Sequence, residues 1–325
     1  MRNILITGGA GFIGSHLVKY FVKKYTNYNI INIDKLTYAS NVDFLNEISN
    51  FKNYKFIQAD ICDLEKIETI FKKYNISDII HLAAESHVDN SIENALEFAK
   101  TNILGTINLL ELSRKNWVNK KNNLFYHIST DEVFGTLEEF GIFNENTKYD
   151  PHSPYSASKA SADHFVRAFY DTHKLPIIIS NCSNNYGPNQ HNEKLIPTVI
   201  NSLINKSKIP VYGNGLNIRD WLYVEDHVEA IDLIFHKGIV GETYCIGGEN
   251  EIKNIDLIKL IIKEFDHIKQ NKNSSIDLID YVDDRLGHDY RYAIDISKIN
   301  NELGWHPKTN MDKGLKNTLN WYLNG

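Results

Sequence analysis

Apolar residues in the first half of the chain gather in short, nearly unbroken runs separated by longer periodic stretches. The runs NILIT (3–7), NIINID (29–34), YKFIQAD (54–60), SDIIHLAA (77–84), LFYHIST (124–130) and PIIISNCS (176–183) predict strands. Continuous hydrophobicity, as opposed to strict alternation, marks a parallel strand covered on both faces. Helical periodicity fills the gaps, near 12–25, 63–74, 91–116 and 154–173. Strand–helix alternation of this kind predicts an α/β fold, a doubly wound parallel sheet of the Rossmann type.

After about residue 183 the texture changes. Helical patterns recur near 193–206, 225–237, 254–267 and 311–323, but apolar runs shorten and loops fill with Asn and Gly. The expected organisation is a dinucleotide-binding domain over 1–183 and a smaller α/β substrate-binding part over 184–325. Segments near 215–245 are expected to cross back to the first domain.

The strand ends carry the first chemistry. ITGGAGFIGSHL follows the first strand and opens the first helix, with Gly8, Gly11 and Gly14 spaced by three. Such glycines permit a tight turn and close approach of backbone to a pyrophosphate, while the helix N-terminus offers free N–H groups. Asp34 ends the second strand, where a carboxylate accepts hydrogen bonds from a ribose diol and repels a 2′-phosphate. That favours NAD over NADP. Ligands of such sheets collect beyond the carboxyl ends of strands. The expected cofactor contacts are therefore Phe12 and Ile13 beside the glycines, and Lys35, Leu36 and Thr37 beside Asp34. Asp60 closes the third strand with Ile61 next to it, and Leu82, Ala83 and Ala84 close the fourth.

Further on, PYSASKASADHF begins a helix at Pro154, which places Tyr155 and Lys159 on one helical face. A tyrosine has a pKa of about 10 and is a poor base at neutral pH. A nearby ammonium and a positive nicotinamide ring favour its phenolate and let it take a hydroxyl proton. Tyr20 and Lys24 share the same spacing, but they lie at the far end of the first helix. STDEVFG (129–135) sets Asp131 and Glu132 side by side where a buried strand meets water. Such a pair either marks the strand end or supplies an acid and a base, since charging one raises the pKa of its neighbour.

These motifs together resemble the extended short-chain dehydrogenase/reductase family, in its nucleotide-sugar branch. HLAAESHVDNS, STDEVFG, PYSASKA, NCSNNYGPNQHNEKLIP, VYGNGLNIRDWLYVEDH and DDRLGHDYRYAID are similar to the members of that branch that dehydrate dTDP-glucose. The likeness runs from residue 2 nearly to the end of the chain. It implies oxidation at C4, elimination of water across C5–C6 and return of the hydride to C6, giving a 4-keto-6-deoxy sugar. Asp131 would be the acid at O6, Glu132 the base at C5, Thr130 the group holding O4, and Tyr155 with Lys159 the base at C4. The branch's GDP-mannose dehydratases and decarboxylases usually show Ser-Glu where Asp131-Glu132 stands, and its epimerases need no such pair. A dehydratase or 4-epimerase acting on another nucleotide sugar is the alternative, and a non-catalytic dinucleotide sensor a further one.

By the same resemblance Thr101 and Asn185 touch the cofactor and Ser86 lies where cofactor and sugar meet. Asn184, Glu193, Lys194, Leu195, Pro210, Val211, Tyr212, Asn254 and His288 would surround the nucleotide sugar. Arg219 and Arg285 would bind its diphosphate, for which a planar guanidinium is suited. Phe134 stands where the branch commonly has Tyr, Leu286 where Pro is usual, and NQHN (189–192) is more polar than usual. A homodimer formed through helices near 100–116 and 154–171 is also implied.

Composition narrows the remaining choices. A net charge of −6 offers no broad basic surface, which argues against nucleic acid as a partner. No apolar run is long enough to span a bilayer, and Met1 leads directly into the first strand without a leader-like segment. Cys62, Cys182 and Cys245 are few and far apart, which predicts neither disulfides nor a thiolate metal site and fits a cytoplasmic protein.

Overall fold

The computed structural model describes residues 2–117 and 122–324. Six strands come first: β1 (Arg2–Thr7), β2 (Tyr28–Asp34), β3 (Tyr54–Gln58), β4 (Asp78–His81), β5 (Leu124–Thr130) and β6 (Ile177–Cys182). Joining them are α1 (Phe12–Lys24), α2 (Leu64–Tyr74), α3 (Val88–Glu93), α4 (Ala95–Phe98), α5 (Gly105–Asn116) and α6 (Pro154–His173). The later elements are β7 (Asn184–Tyr186), α7 (Leu195–Asn205), β8 (Ile209–Tyr212), β9 (Ile218–Tyr223), α8 (Val224–Lys237) and β10 (Thr243–Ile246). They continue with β11 (Glu251–Lys253), α9 (Asn254–Lys269), β12 (Ile279–Val282), α10 (Ser297–Leu303) and α11 (Met311–Asn324).

Among the described residues the main sheet has seven strands in the order β10-β6-β5-β4-β1-β2-β3. Every pairing in it is parallel, as the continuous hydrophobicity of its strands requires. The strand order reverses between β1 and β4, and that crevice is where such sheets bind ligands. One apolar core joins β1, β5, α1 and α8, and another fills the opposite face between α2, α5 and α6. A third core packs α7, α9 and α11 against β8 and β9, beneath the small sheets β11-β9-β7 and β12-β8.

The third strand, expected over 54–60, ends at Gln58, and two further differences from expectation shape the cleft. The run 77–84 stops being strand at His81, because Leu82 N and Ala83 N turn back to donate to Thr7 Oγ1 at 3.2 and 3.1 Å. The expected single helix near 91–116 is broken at Asn94 (φ −140°, ψ 66°) and widened into a π-helical turn at Ala99–Leu104. That wide turn brings Thr101 to the cleft, while Asn102 holds Glu85 by both its backbone N–H and its carbonyl. Such bulges recur at functional sites. β10 and α10 were not marked by any sequence pattern. β10 nevertheless adds the edge strand beside β6.

Candidate active site

A cleft of about 300 Å³ opens over the carboxyl ends of β1, β2, β4, β5 and β6. At one end stands the glycine turn. Gly8 has φ +72°, and a Cβ there would meet Ala83 N at 2.7 Å. A Cβ on Gly14 would lie 2.1 Å from the Gly8 carbonyl oxygen, so helix and turn touch backbone to backbone. At Gly11 the nearest atom is that same carbonyl oxygen at 3.3 Å, which leaves this glycine facing the cleft. Gly11 caps α1 with no side-chain acceptor, so the first N–H groups of the helix point free. A pyrophosphate fits this cradle.

Asp34 has its carboxylate preset. Oδ2 accepts from Ala10 N at 2.9 Å, and Oδ1 accepts from Leu36 N and Ser40 Oγ, each at 2.8 Å. Oδ2 keeps a second lone pair for a ribose hydroxyl. Asp60 accepts from Cys62 N at 2.8 Å and pairs with Lys35 at 3.1 Å. Burial raises its pKa, but those two partners outweigh burial and hold the carboxyl below its usual range. His81 locks the turn beneath. Thr106 Oγ1 gives its proton to the Asn102 carbonyl, so His81 Nε2 donates to Thr106 and Nδ1 accepts from Thr7. Burial keeps that ring neutral.

The other end of the cleft is built by β5 and α6. Thr130 ends β5 in extended conformation and caps a 3₁₀ turn, Asp131–Phe134, accepting from Glu132 N at 3.2 Å. Ser153 and Ser156 cap α6 reciprocally, each hydroxyl accepting from the other's backbone N–H at 3.0 Å, which fixes Tyr155 in the first turn. Thr130, Asp131, Glu132, Tyr155 and Lys159 all line the cleft.

The two carboxyls occupy different environments. Asp131 is buried, with one oxygen accepting from Thr130 Oγ1 at 3.3 Å and the other without a partner. Burial, then Glu132 and Asp220, push its pKa well above the usual carboxyl range, which favours the protonated form. Burial also raises Glu132, but Lys194, Arg219 and Arg285 pull it back toward the ionised form. Tyr155 departs from the sequence expectation. Burial, followed by Glu132, Cys182 and Asp131, drives the phenol well above its usual range. The Lys159 ammonium is not turned on the phenol but donates to the Ile128 carbonyl at 2.8 Å.

Of the residues expected at the cofactor, all line the cleft except Leu36, which is held back in a left-handed turn at φ 61°. Ser86, Thr130, Asn184, Glu193 and Lys194 line it from the substrate set. Leu195, Pro210, Val211, Tyr212, Arg219, Asn254, Arg285 and His288 do not line this cleft. Several of them cluster beside it: the Arg285 guanidinium sits 5.1 Å over the Tyr212 ring, and His288 meets that ring edge-on. Leu195 and Val211 pack into the third core, and the Asn254 carboxamide oxygen is buried without a partner.

Neither arginine is free to the degree expected of a diphosphate ligand. Arg219 donates to the carbonyls of Ile218, Tyr290 and Asp289 and stacks 4.2 Å over Tyr292. Arg285 pairs with Asp89 at 2.6 Å. Residues not singled out from the sequence also line the cleft, among them Ser40, Glu85, Cys182, Gln190 and His191. Cys182 was findable, since it closes β6 and cleft residues gather at strand ends. Burial pushes its thiol up to about 12, which leaves it unreactive.

Comparison with known proteins places this geometry. The family model described as GDP-mannose 4,6 dehydratase matches residues 5–318. A dTDP-glucose 4,6-dehydratase of Escherichia coli is 51% identical over 339 residues, covering 99% of this chain and 93% of its own. The crystal structure of dTDP-glucose 4,6-dehydratase from Bacillus anthracis in complex with NAD superposes with a TM-score of 0.90 at 43% identity, covering 100% and 97% of the two chains. The enzyme DesIV of Streptomyces venezuelae, a dTDP-glucose 4,6-dehydratase solved with NAD bound, gives 0.93 at 37% identity, covering 100% and 98%.

Proposed function

This chain belongs to the GDP-mannose 4,6-dehydratase family, and from that premise we propose that it converts dTDP-glucose to dTDP-4-dehydro-6-deoxyglucose as a hydro-lyase with recycled NAD. The observation that carries the reading is the placing of Asp131 and Glu132 together in the cleft with Tyr155: burial raises both carboxyls, Asp131 well above its usual range, while Lys194, Arg219 and Arg285 oppose the rise at Glu132. A sugar C5–H is not acidic and the C6 hydroxyl is a poor leaving group, so elimination needs a ketone at C4 first. The Gly8–Gly14 turn and Asp34 would hold NAD, which when bound would supply a positive ring to favour the phenolate, a hydride acceptor in its oxidised form and a hydride donor in its reduced form.

The protein's own groups do the rest. Tyr155 takes the C4 hydroxyl proton while the Thr130 hydroxyl holds O4. With C4 a ketone, the C5 proton becomes acidic, and Glu132 removes it. Asp131 delivers its proton to O6, which leaves as water, and when the hydride returns to C6 Glu132 gives its proton back to C5. Lys194, Arg219 and Arg285 oppose the rise that burial imposes on Glu132 and so favour its acting as base, whereas burial favours the neutral, proton-bearing form of Asp131. Glu193 and Lys194 from the cleft, with Tyr212, His288, Arg219 and Arg285 beside it, would contact the nucleotide sugar, while Leu195 and Val211 stay in the third core. For Arg285 this requires exchanging Asp89 for the diphosphate.

Homodimerisation through α5 and α6 is part of the same reading. Leu96 (82% exposed), Leu104 and Phe165 stand bare around that helix pair, and burying them in a second copy is favourable. A cytoplasmic location is favoured by the free thiols of Cys62, Cys182 and Cys245. Mass spectrometry of dTDP-glucose incubated with the protein, without added reductant, tests the activity. A product lighter by one water with no net NADH is expected. Unchanged mass with inversion at C4 would replace this reading with epimerisation.

A further inference from the structure

Behind Tyr155 lies a buried ionisable cluster that the reaction steps above leave unused. Lys159 is 5% exposed, and besides its bond to the Ile128 carbonyl its ammonium lies 3.5 Å from His127 Nε2. One helical turn further along α6, Asp163 is 0% exposed, and its Oδ1 lies 3.1 Å from the same His127 nitrogen. The other carboxylate oxygen accepts from Ser129 Oγ and the Tyr149 hydroxyl, both at 2.8 Å, and from Asn181 Nδ2 at 3.4 Å. His127 therefore stands between an ammonium and a carboxylate.

A buried ammonium lacking a counter-charge releases its proton. The groups facing Lys159 come from three strands and its own helix. On β5, His127 is held neutral by burial, with its pKa lowered to about 4. On β4, His81 is neutral for the same reason, and on β6 burial keeps Cys182 a thiol. On α6 stand Tyr155 and Asp163. Burial works against the Asp163 carboxylate, but His127, Lys159 and Ser129 outweigh it and hold the carboxyl below its usual range. Of these groups Asp163 alone carries a negative charge at neutral pH.

We propose that Asp163 is a positioning residue of the active site: acting past the neutral His127 ring, its carboxylate keeps the Lys159 ammonium charged and seated on the Ile128 carbonyl behind Tyr155. The proposal rests on the reading of Tyr155 and Lys159 as the C4 proton-transfer pair. Asp163 touches neither substrate nor cofactor. It is an acid placed where an amide of the same shape satisfies the same Ser129 and Tyr149 hydroxyls, so its charge is separable from its packing.

The test is an NMR titration of Lys159 in ¹³C-lysine-labelled protein with bound NAD, comparing wild type, Asp163→Asn and Tyr149→Phe, with pH–rate profiles alongside. In Asp163→Asn the Lys159 midpoint is expected to fall by about one pH unit or more, tenfold or more in protonation. The alkaline limb of turnover should move down by the same amount. Tyr149→Phe removes a hydrogen bond but no charge and should leave the midpoint in place. Asp163→Asn should cost nothing further in a Lys159→Met background. A folded Asp163→Asn variant with an unmoved Lys159 midpoint, or with activity lowered equally at every pH, overturns the proposal. If that variant does not fold, wild type still decides, since a Lys159 already neutral at pH 7 refutes it. Failure of the dehydration reading would show as absent water loss and would leave the titration readout intact.

Discussion

Replacing Glu132 by Gln keeps the shape of the side chain and removes only its ability to take a proton. The structure sets what each step should then feel. Elimination loses its base, and a positioned general base contributes about 10²–10⁴-fold, or about 3–5 kcal/mol at roughly 1.4 kcal/mol per decade. The C4 oxidation should not suffer. After burial, Glu132 is the strongest influence raising the Tyr155 phenol, so removing its charge makes the phenolate easier to form. The two effects separate in a single-turnover experiment. Enzyme carrying NAD, mixed with dTDP-glucose, should build up reduced cofactor absorbance at or above the wild-type rate. Mass spectrometry should show water loss slowed by at least about a hundredfold. Water release at the wild-type rate would refute Glu132 as the C5 base. Absence of reduced cofactor would place Glu132 in the oxidation step instead.

Asp131→Asn should slow elimination by a comparable 10²–10⁴-fold, because an amide cannot hand a proton to O6, yet C5 should still exchange deuterium from heavy water. No exchange at C5 would mean that the two carboxyls do not divide acid from base. Gly14→Ala drives a Cβ to 2.1 Å from the Gly8 carbonyl oxygen, where neither backbone can yield cheaply. Overpacking of this kind costs about 1–3 kcal/mol, and calorimetric NAD affinity should fall tenfold or more. The buried histidines set the response to acid. Burial lowers His16 and His127 to about 4 and His227 to about 3. The unfolded chain protonates these rings at about 6.5, so it binds more protons below that pH, and stability falls as pH drops from 6.5 toward the folded-state values. At pH 5 each ring removes on the order of 2 kcal/mol, which urea midpoints at pH 7 and pH 5 will show.

The parts of the fold legible in the sequence are those where one local rule decides. β5 and α6 coincide with their predicted spans, because one is a continuous apolar run and the other begins at Pro154 and ends in a left-handed cap at Lys174. The break at Asn94 and the wide turn at Ala99–Leu104 were hidden, since the periodicity of 91–116 continues through them. Just past the wide turn Gly105 lies against Ile61, where a Cβ would meet the Ile61 side chain at under 3 Å, a contact that periodicity does not report. β10 escaped because four residues pairing with a strand over sixty positions away leave no local trace. In the site, spacing marked the glycines and Tyr155. It could not say that Arg285 rests on Asp89 or that Arg219 is tied to three carbonyls, since both depend on loops brought together by the fold.

The adjacency of Asp131 and Glu132 has a geometric explanation. Had β5 continued, successive side chains would point to opposite faces of the sheet, and one carboxyl would enter an apolar layer. Thr130 instead caps a 3₁₀ turn, in which neighbouring residues diverge by about a third of a rotation. Asp131 is thereby turned inward, beside Asp220, whose oxygens accept from Gly248 N and Asn250 N at 2.7 Å. Glu132 is turned outward to the side of the cleft where Lys194, Arg219 and Arg285 act on it. The turn therefore separates the two environments before any ligand arrives. Each carboxyl then raises the pKa of the other only for the form in which both are charged, and the buried one is the cheaper to leave protonated. On the proposed reading the acid and base roles then follow position along the turn, and the order Asp-Glu follows from where the strand stops.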